Sequence, residues 1–223
     1  LKSDGSGDYE WIEEGKLLAS DLSADDMFGR SVSISGNLAI VGTPGDDDAG
    51  SNSGSAYVFQ RTLKSDGSGD YEWLEEAKLT ASDGATNDIF GISSTLSGNL
   101  AIVGAQGDES TRGSAYVFER QLKSDGSGDY EWIEEAKLVA SDCVAFDSFG
   151  VSASLYDQIA IIGAFTDDDN GTNSGSAFVF KRKLKSDGSG DYEWIEEAKL
   201  LASDGGGFDN FGLSVDIWDD HAV

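Results

Sequence analysis

The sequence predicts an all-β fold assembled from four-stranded antiparallel units, and three observations carry that prediction. The segment LKSDGSGDYEW begins at Leu1, Leu63, Leu122 and Leu184, so the chain repeats at spacings of 62, 59 and 62 residues. A Phe-Gly pair keeps step with it, at Phe28-Gly29, Phe90-Gly91, Phe149-Gly150 and Phe211-Gly212. The 223 residues include 29 glycines and one proline, and glycine-rich turns separate short runs of branched and aromatic residues.

Each unit reads as four strands. The first opens at Phe-Gly, where Val32 and Ile34 alternate with serines at the period of two that a strand requires. Ser35-Gly36-Asn37 suits a tight hairpin turn with positive φ. The second strand, Leu38 to Val41, is apolar on both faces, as a strand between two neighbouring sheets should be. A Gly-Thr-Pro or Gly-Ala-x marker follows, at Gly42, Gly104 and Gly163. The third strand, Ala56 to Arg61, is rich in aromatic and branched residues. A polar loop, Ser65 to Asp70, leads into a fourth strand, Tyr71 to Thr80, whose mixed polarity marks a half-wet outer edge.

A four-stranded unit of this size buries both faces only by stacking against copies of itself, which predicts the blades of a β-propeller. The expected organisation is the outer strand of a preceding blade within residues 1–20 (Tyr9 to Ala19), three blades at about 28–82, 90–141 and 149–203, and a partial blade at 211–223. About three blades are fewer than the four to eight of a closed propeller. The sequence is therefore expected to be a fragment of a larger propeller, or to close with help from another chain.

The net charge is −27, from 42 acidic and 15 basic residues. Nucleic acid and anionic membranes call for basic patches, so neither is an expected partner. The acidity suits a solvated surface, a divalent-cation binder or a protein working in salt. No apolar run is long enough to span a membrane, so no membrane insertion is expected. Cys143 is the single cysteine, which excludes an intrachain disulfide and a thiolate zinc site.

The order Phe-Gly, strand pair, Gly-Thr-Pro, Ser-Ala-Tyr-Val-Phe resembles the FG-GAP repeat, most clearly in FGRSVSISGNLAIVGTPGDDDAGSNSGSAYVF at 28–59. Such repeats form the seven-bladed, integrin-like propellers of integrin α-subunit heads. They also occur in bacterial and algal surface proteins and beside the catalytic domain of a glycosylphosphatidylinositol-specific phospholipase. The resemblance implies an extracellular or cell-surface setting and a role in adhesion, matrix or protein–protein contact. One feature departs from it. The integrin-type calcium loop D-x-D-x-D-G-x-x-D, between the first and second strands, is replaced here by Ser35-Gly36-Asn37, Ser97-Gly98-Asn99 and Tyr156-Asp157-Gln158.

Two other acidic loops are candidates for calcium, which takes six to eight oxygens, often from alternating carboxylates. The first offers Asp46, Asp48 and Asn52, with Asp167, Asp169 and Asn173 in the third unit. The middle unit shortens here to Asp108–Arg112 and should lack the site. The second candidate is the hairpin Asp66–Asp70, with copies at Asp4–Asp8, Asp125–Asp129 and Asp187–Asp191. A solvated loop and a polar hairpin tip are the respective alternatives. Asp26, Asp88, Asp147 and Asp209 precede each Phe-Gly at a fixed offset and read as turn formers. Trp11, Trp73, Trp132 and Trp194 recur on outer strands, either as packing residues or as rim anchors for a partner. His221 is the only histidine, so no Ser-His-Asp or Cys-His set can be built, and no enzymatic activity is expected from this chain.

The four copies are most alike in the outer hairpin LKSDGSGDYEWIEEAKL and diverge in the inner strands. Recent duplication explains this, and so does an outer rim that makes the same contact several times over. The reading that joins these observations is a non-catalytic structural or adhesive module. Its rim would contact proteins or glycans, including copies of itself in a filament. The alternative is a propeller appended to an extracellular enzyme whose catalytic region lies outside this chain.

Overall fold

The computed structural model describes residues 2–3, 9–219 and 221–223. Three antiparallel sheets of four strands follow one another along the chain. Blade 1 contains β3 (Ser31–Ser35), β4 (Leu38–Thr43), β5 (Ser55–Leu63) and β6 (Tyr71–Leu79). Blade 2 contains β7 (Phe90–Ser97), β8 (Leu100–Ala105), β9 (Ser114–Leu122) and β10 (Tyr130–Leu138). Blade 3 contains β11 (Phe149–Tyr156), β12 (Ile159–Ala164), β13 (Ser176–Leu184) and β14 (Tyr192–Leu200). Each sheet is a meander in chain order, from inner to outer edge. A short pair, β1 (Lys2–Ser3) with β2 (Tyr9–Glu10), precedes them, and another, β15 (Ile217–Trp218) with β16 (His221–Ala222), follows as a partial blade. The chain is thus all-β, with repeated four-stranded antiparallel blades as its building unit.

The core lies between blades, because a single sheet leaves both faces wet. Leu38, Ile40, Val58 and Leu79 of blade 1 meet Phe90, Leu96, Val103, Tyr116 and Phe118 of blade 2. Leu100, Ile102, Val117 and Leu138 of blade 2 meet Phe149, Leu155, Ile162, Phe178 and Phe180 of blade 3 in the same way. All six residues of β4 and of β8 are buried, which is what their two-faced apolarity predicts.

The Phe-Gly pair is the hinge pin of this stacking. Phe90 and Phe149 are fully buried and meet the rings of their own blade edge-on, Tyr116 with Phe118 and Phe178 with Phe180. Besides pairing with Ala105 and Ala164 of their own blades, Phe90 and Phe149 bridge in parallel to Gly54 and Gly113 of the preceding blade, as Phe211 does to Gly175. The glycine that follows is obligatory. Gly91 has φ +93, and a Cβ there would meet the Ser55 carbonyl oxygen of blade 1 at 2.2 Å. Serines complete the inner seam: Ser31, Ser93 and Ser152 each donate to the carbonyl of the next Phe-Gly glycine, at 3.0, 2.8 and 2.7 Å.

Residues 11–19 differ from the expected outer strand. Only Tyr9–Glu10 is a strand, and it pairs with β1 rather than with a blade. A strand exists only where a neighbour satisfies its backbone groups, and none of the described strands runs beside 11–19. The segment nonetheless packs Leu17 and Ala19, followed by Leu22, on Val41, Tyr57 and Phe59 of blade 1, the face that a preceding blade would cover.

Candidate functional site

Two regions carry the chain's chemistry: the junctions where outer strands meet, and the rim that those strands present to solvent. The first depends on a bulge. In β6, β10 and β14 the ladder skips one glutamate, so Glu76, Glu135 and Glu197 have no cross-strand partner. A bulge reverses the alternation of faces beyond it. In β10, Trp132 therefore reaches back to blade 1 and Glu134 and Lys137 to the connection that leaves it, while Glu135, Ala136 and Leu138 face forward to blade 3.

The forward-facing glutamate forms a clasp. Glu76 accepts from Nε and Nη2 along one guanidinium edge of Arg120, at 2.7 and 2.5 Å, and from the Trp132 indole N–H at 2.8 Å. Glu135 does the same for Arg182 and Trp194, with Glu119 as a further acceptor for Arg182. The Arg120 and Arg182 side chains are only 8% and 7% exposed, and their guanidinium groups lie 3.6 and 3.7 Å from the ring centres of Tyr130 and Tyr192. Burial pushes the Glu76 carboxyl up, but Arg120 and Trp132 outweigh it and hold the group below the usual range. Arg61 and Glu14 repeat the clasp in a more exposed form at the N-terminal side of blade 1. The other glutamate faces backward: Glu75, Glu134 and Glu196 accept from the backbone N–H and hydroxyl of Ser20, Ser82 and Ser141.

A second node in each junction is built on a lysine. Lys78 Nζ lies 2.8 Å from Asp21, 2.9 Å from Asp46 and 2.5 Å from Asp48. Lys199 Nζ lies 2.9 Å from Asp142, 2.8 Å from Asp167 and 2.7 Å from Asp169. In blade 2, Lys137 Nζ lies 2.7 Å from Asp83, 2.6 Å from Asp108 and 3.8 Å from Glu109. Burial acts on Asp46 upward, but Lys78, Ser55, the Asp48 N–H and Tyr57 together hold its carboxyl below the usual range.

These contacts locate the proposed calcium ligands. Asp46 and Asp48, like Asp167 and Asp169, surround a lysine ammonium. The Asn52 and Asn173 backbone N–H groups close their loops onto Asp47 and Asp168 at 2.7 and 2.6 Å. An acidic cluster is present: ligand atoms of Asp142, Cys143 and Asp167 lie within 4.8 Å of one another, but Lys199 already contacts both carboxylates. The family's usual loop position holds two-residue turns at Gly36–Asn37 and Gly98–Asn99. The residues present do not fit a calcium ion, because the carboxylates that would ligate it point at an ammonium. Sequence reasoning missed this lysine because it stands about thirty residues from the loop it serves. Its signal was the parity break in W-x-E-E-A-K-L.

The hairpin tips are turns. Asp66 accepts from Ser68 N–H and the Ser68 hydroxyl from Asp70 N–H, repeated at Asp125–Asp129 and Asp187–Asp191. The copy at 4–8 lies outside the described residues. Asp26, Asp88, Asp147 and Asp209 each accept from a backbone N–H three residues earlier, as turn formers do. Trp73, Trp132 and Trp194 are half-buried against the interblade clusters, so the packing alternative describes them; Trp11 is exposed. The rim offers other side chains. Each blade exposes the same trio: Leu63, Tyr71 and Leu74; Leu122, Tyr130 and Ile133; Leu184, Tyr192 and Ile195.

Cys143 is buried and its thiol is pushed up by that burial and by the nearby carboxylates, which makes it a poor nucleophile. His221 is an exposed residue of the terminal β16. No described helix is long and apolar enough to cross a membrane.

No curated protein matches the chain significantly. The family described as FG-GAP repeat matches residues 11–59, 73–118, 132–180 and 194–223. FG-GAP repeats form propeller-like protein-interaction modules that are typically extracellular and non-catalytic. With four matched repeats covering most of its length, the chain belongs to the FG-GAP repeat family.

Proposed function

We propose that this chain is an extracellular structural or adhesive module that holds its partners through the outer rim. The supporting observation is the repetition of one exposed surface. Leu63, Leu122 and Leu184 are 59, 59 and 60% exposed, and Tyr71, Tyr130 and Tyr192 are 38, 40 and 38% exposed, each beside an acidic hairpin. Apolar side chains held at equal exposure on rigid strands form a repeated contact, and a partner engaging several of them gains avidity without any strong single site. The partners are proteins or glycans, including copies of the chain within a filament or matrix.

Binding to a surface coated with the chain itself, and to a glycan array, tests this. Leu74→Lys, Ile133→Lys and Ile195→Lys leave the clasp intact. Each alone should weaken retention modestly, and the triple variant should lose roughly 100-fold or more. A folded triple variant retained like the parent on whichever surface binds it would remove the rim from the account. So would an absence of binding to both surfaces.

A further inference from the structure

We infer that the outer-strand lysine is the resident structural cation of each blade junction, and that the blades hold together without calcium. An ammonium has three N–H donors and no acceptor. In the first and third junctions those donors meet three carboxylates, and the three come from two places in the chain. Asp46 and Asp48 lie in the loop of the lysine's own blade, and Asp21 lies in the segment before it. Asp167 and Asp169 with Asp142 repeat this around Lys199. The lysine thus ties each blade to the chain entering it. The buried member of each loop is further saturated: Asp46 accepts from the Ser55 hydroxyl at 2.9 Å, and Asp167 from the Ser176 hydroxyl at 2.9 Å. A calcium ion at about 2.4 Å from these oxygens would stand where Nζ stands. Displacing the lysine would strand a half-buried ammonium with no acceptor, so the two cations exclude each other.

The middle repeat supports the same assignment. Its loop is rebuilt around a left-handed turn at Glu109, Ser110 and Thr111, yet Lys137 still reaches Asp83 and Asp108. What is common to all three junctions is the lysine and its pair of aspartates, while the D-x-D-x-G-x-N loop pattern occurs in only two.

Thermal unfolding of the intact chain, with calcium and with chelator at matched ionic strength, is the test. It is joined by a calcium titration and by the variants Lys199→Met and Asp169→Asn. The parent midpoint should be the same in both buffers, and calcium should bind no tighter than about 1 mM, the weak end of extracellular calcium modules. Lys199→Met should lower the midpoint by roughly 5–10 °C, with calcium restoring part of the loss. Asp169→Asn, at the exposed carboxylate, should lower it by only a few degrees in both buffers. A parent midpoint that drops in chelator would overturn the inference. So would a Lys199→Met midpoint equal to the parent's. If Lys199→Met does not fold, the parent's response to chelator and the Asp169→Asn midpoint decide alone; an Asp169→Asn chain that loses calcium binding would mark the loop as a metal site.

Discussion

Replacing Glu76 with glutamine should be among the most damaging single polar changes in this chain, though it deletes no apolar contact. Glu76 supports three donors of the next blade: two from Arg120, at 2.7 and 2.5 Å, and the Trp132 indole, at 2.8 Å. The Arg120 side chain is 8% exposed and that of Glu76 is 11% exposed, so water reaches neither readily. A neutral amide leaves a buried guanidinium without its counter-charge, which costs about 3–5 kcal/mol. At roughly 2–4 °C per kcal/mol for a chain of this size, the melting midpoint should fall by at least about 6 °C. The pair Lys183–Glu197 supplies the control. Its members sit on β13 and the bulge of β14, but they are 43% and 40% exposed, and Glu197→Gln should leave stability close to the parent's, because solvent screens an exposed pair. A double replacement, Glu76→Met with Arg120→Met, should recover most of the loss, because a buried ion pair exchanged for apolar volume is often neutral. Urea denaturation of the parent, Glu76→Met, Arg120→Met and the double replacement gives the cycle, with Glu76→Gln and Glu197→Gln measured beside it. If Glu76→Gln costs no more than Glu197→Gln, or the double variant is worse than either single one, the clasp is not what holds the blades.

Further outcomes follow from the seam and from the junction carboxylates. Gly91→Ala should cost roughly 2–4 kcal/mol, from positive φ and from a Cβ pressed on the Ser55 carbonyl. Gly67→Ala, with φ +78 but open space around it, should pay only the backbone share of about 1 kcal/mol. The pH dependence has two opposing parts. Asp46, Asp83 and Glu76 have lowered folded values, so their stabilisation is complete above the ordinary carboxylate range and is lost as pH falls below it. Asp88 and Asp147 are raised, chiefly by burial and then by neighbouring carboxylates, so their ionised forms weaken the fold at neutral pH and this penalty lifts on acidification. The midpoint should therefore hold or rise from pH 7 to about 4.5 and fall steeply below about 3.8. A steady decline beginning near pH 6 would contradict this.

The blade architecture was legible because it rests on local signals. The apolar run Leu38 to Val41 announces a strand covered on both sides, and the Gly36 turn announces its hairpin. The role of Phe-Gly was half legible. Sequence marks the pair as the start of each first strand, but the need for Gly91 comes from a carbonyl of the preceding blade, some 36 positions away, and only stacking reveals it. The candidate site was least legible. Asp46 and Asp48 read as metal ligands because one segment shows only charge of one sign, and their counter-ion, Lys78, arrives from the outer strand through a bulge that pattern reading by strict alternation does not see. The tryptophans stayed between packing and rim in the sequence for the same reason: the bulge, not the local polarity, decides which face Trp132 shares with Lys137.

The uneven sameness of the copies now divides into two cases. Inner-strand positions differ between copies, as Val32, Ser94 and Ala153 do at one place in successive β3, β7 and β11, because packing asks only for volume and a few hydroxyls. The outer strand has partners of fixed chemistry: indole to carboxylate, carboxylate to serine N–H, ammonium to aspartate. Each link needs the same residue in every copy, so Trp, both glutamates and lysine recur without appeal to any ligand. The turn likewise demands its glycines, with Gly67 and Gly69 at φ +78 and +79, and its Asp and Ser caps. Leu63, Leu122 and Leu184 remain. They are more than half exposed, and each stands opposite a tyrosine in the ladder and next to the acidic tip, where solubility alone would favour a polar side chain. An apolar residue kept at the same exposed place in every blade is a part of the repeat that the fold's own contacts do not explain, and the proposed rim contact rests on it.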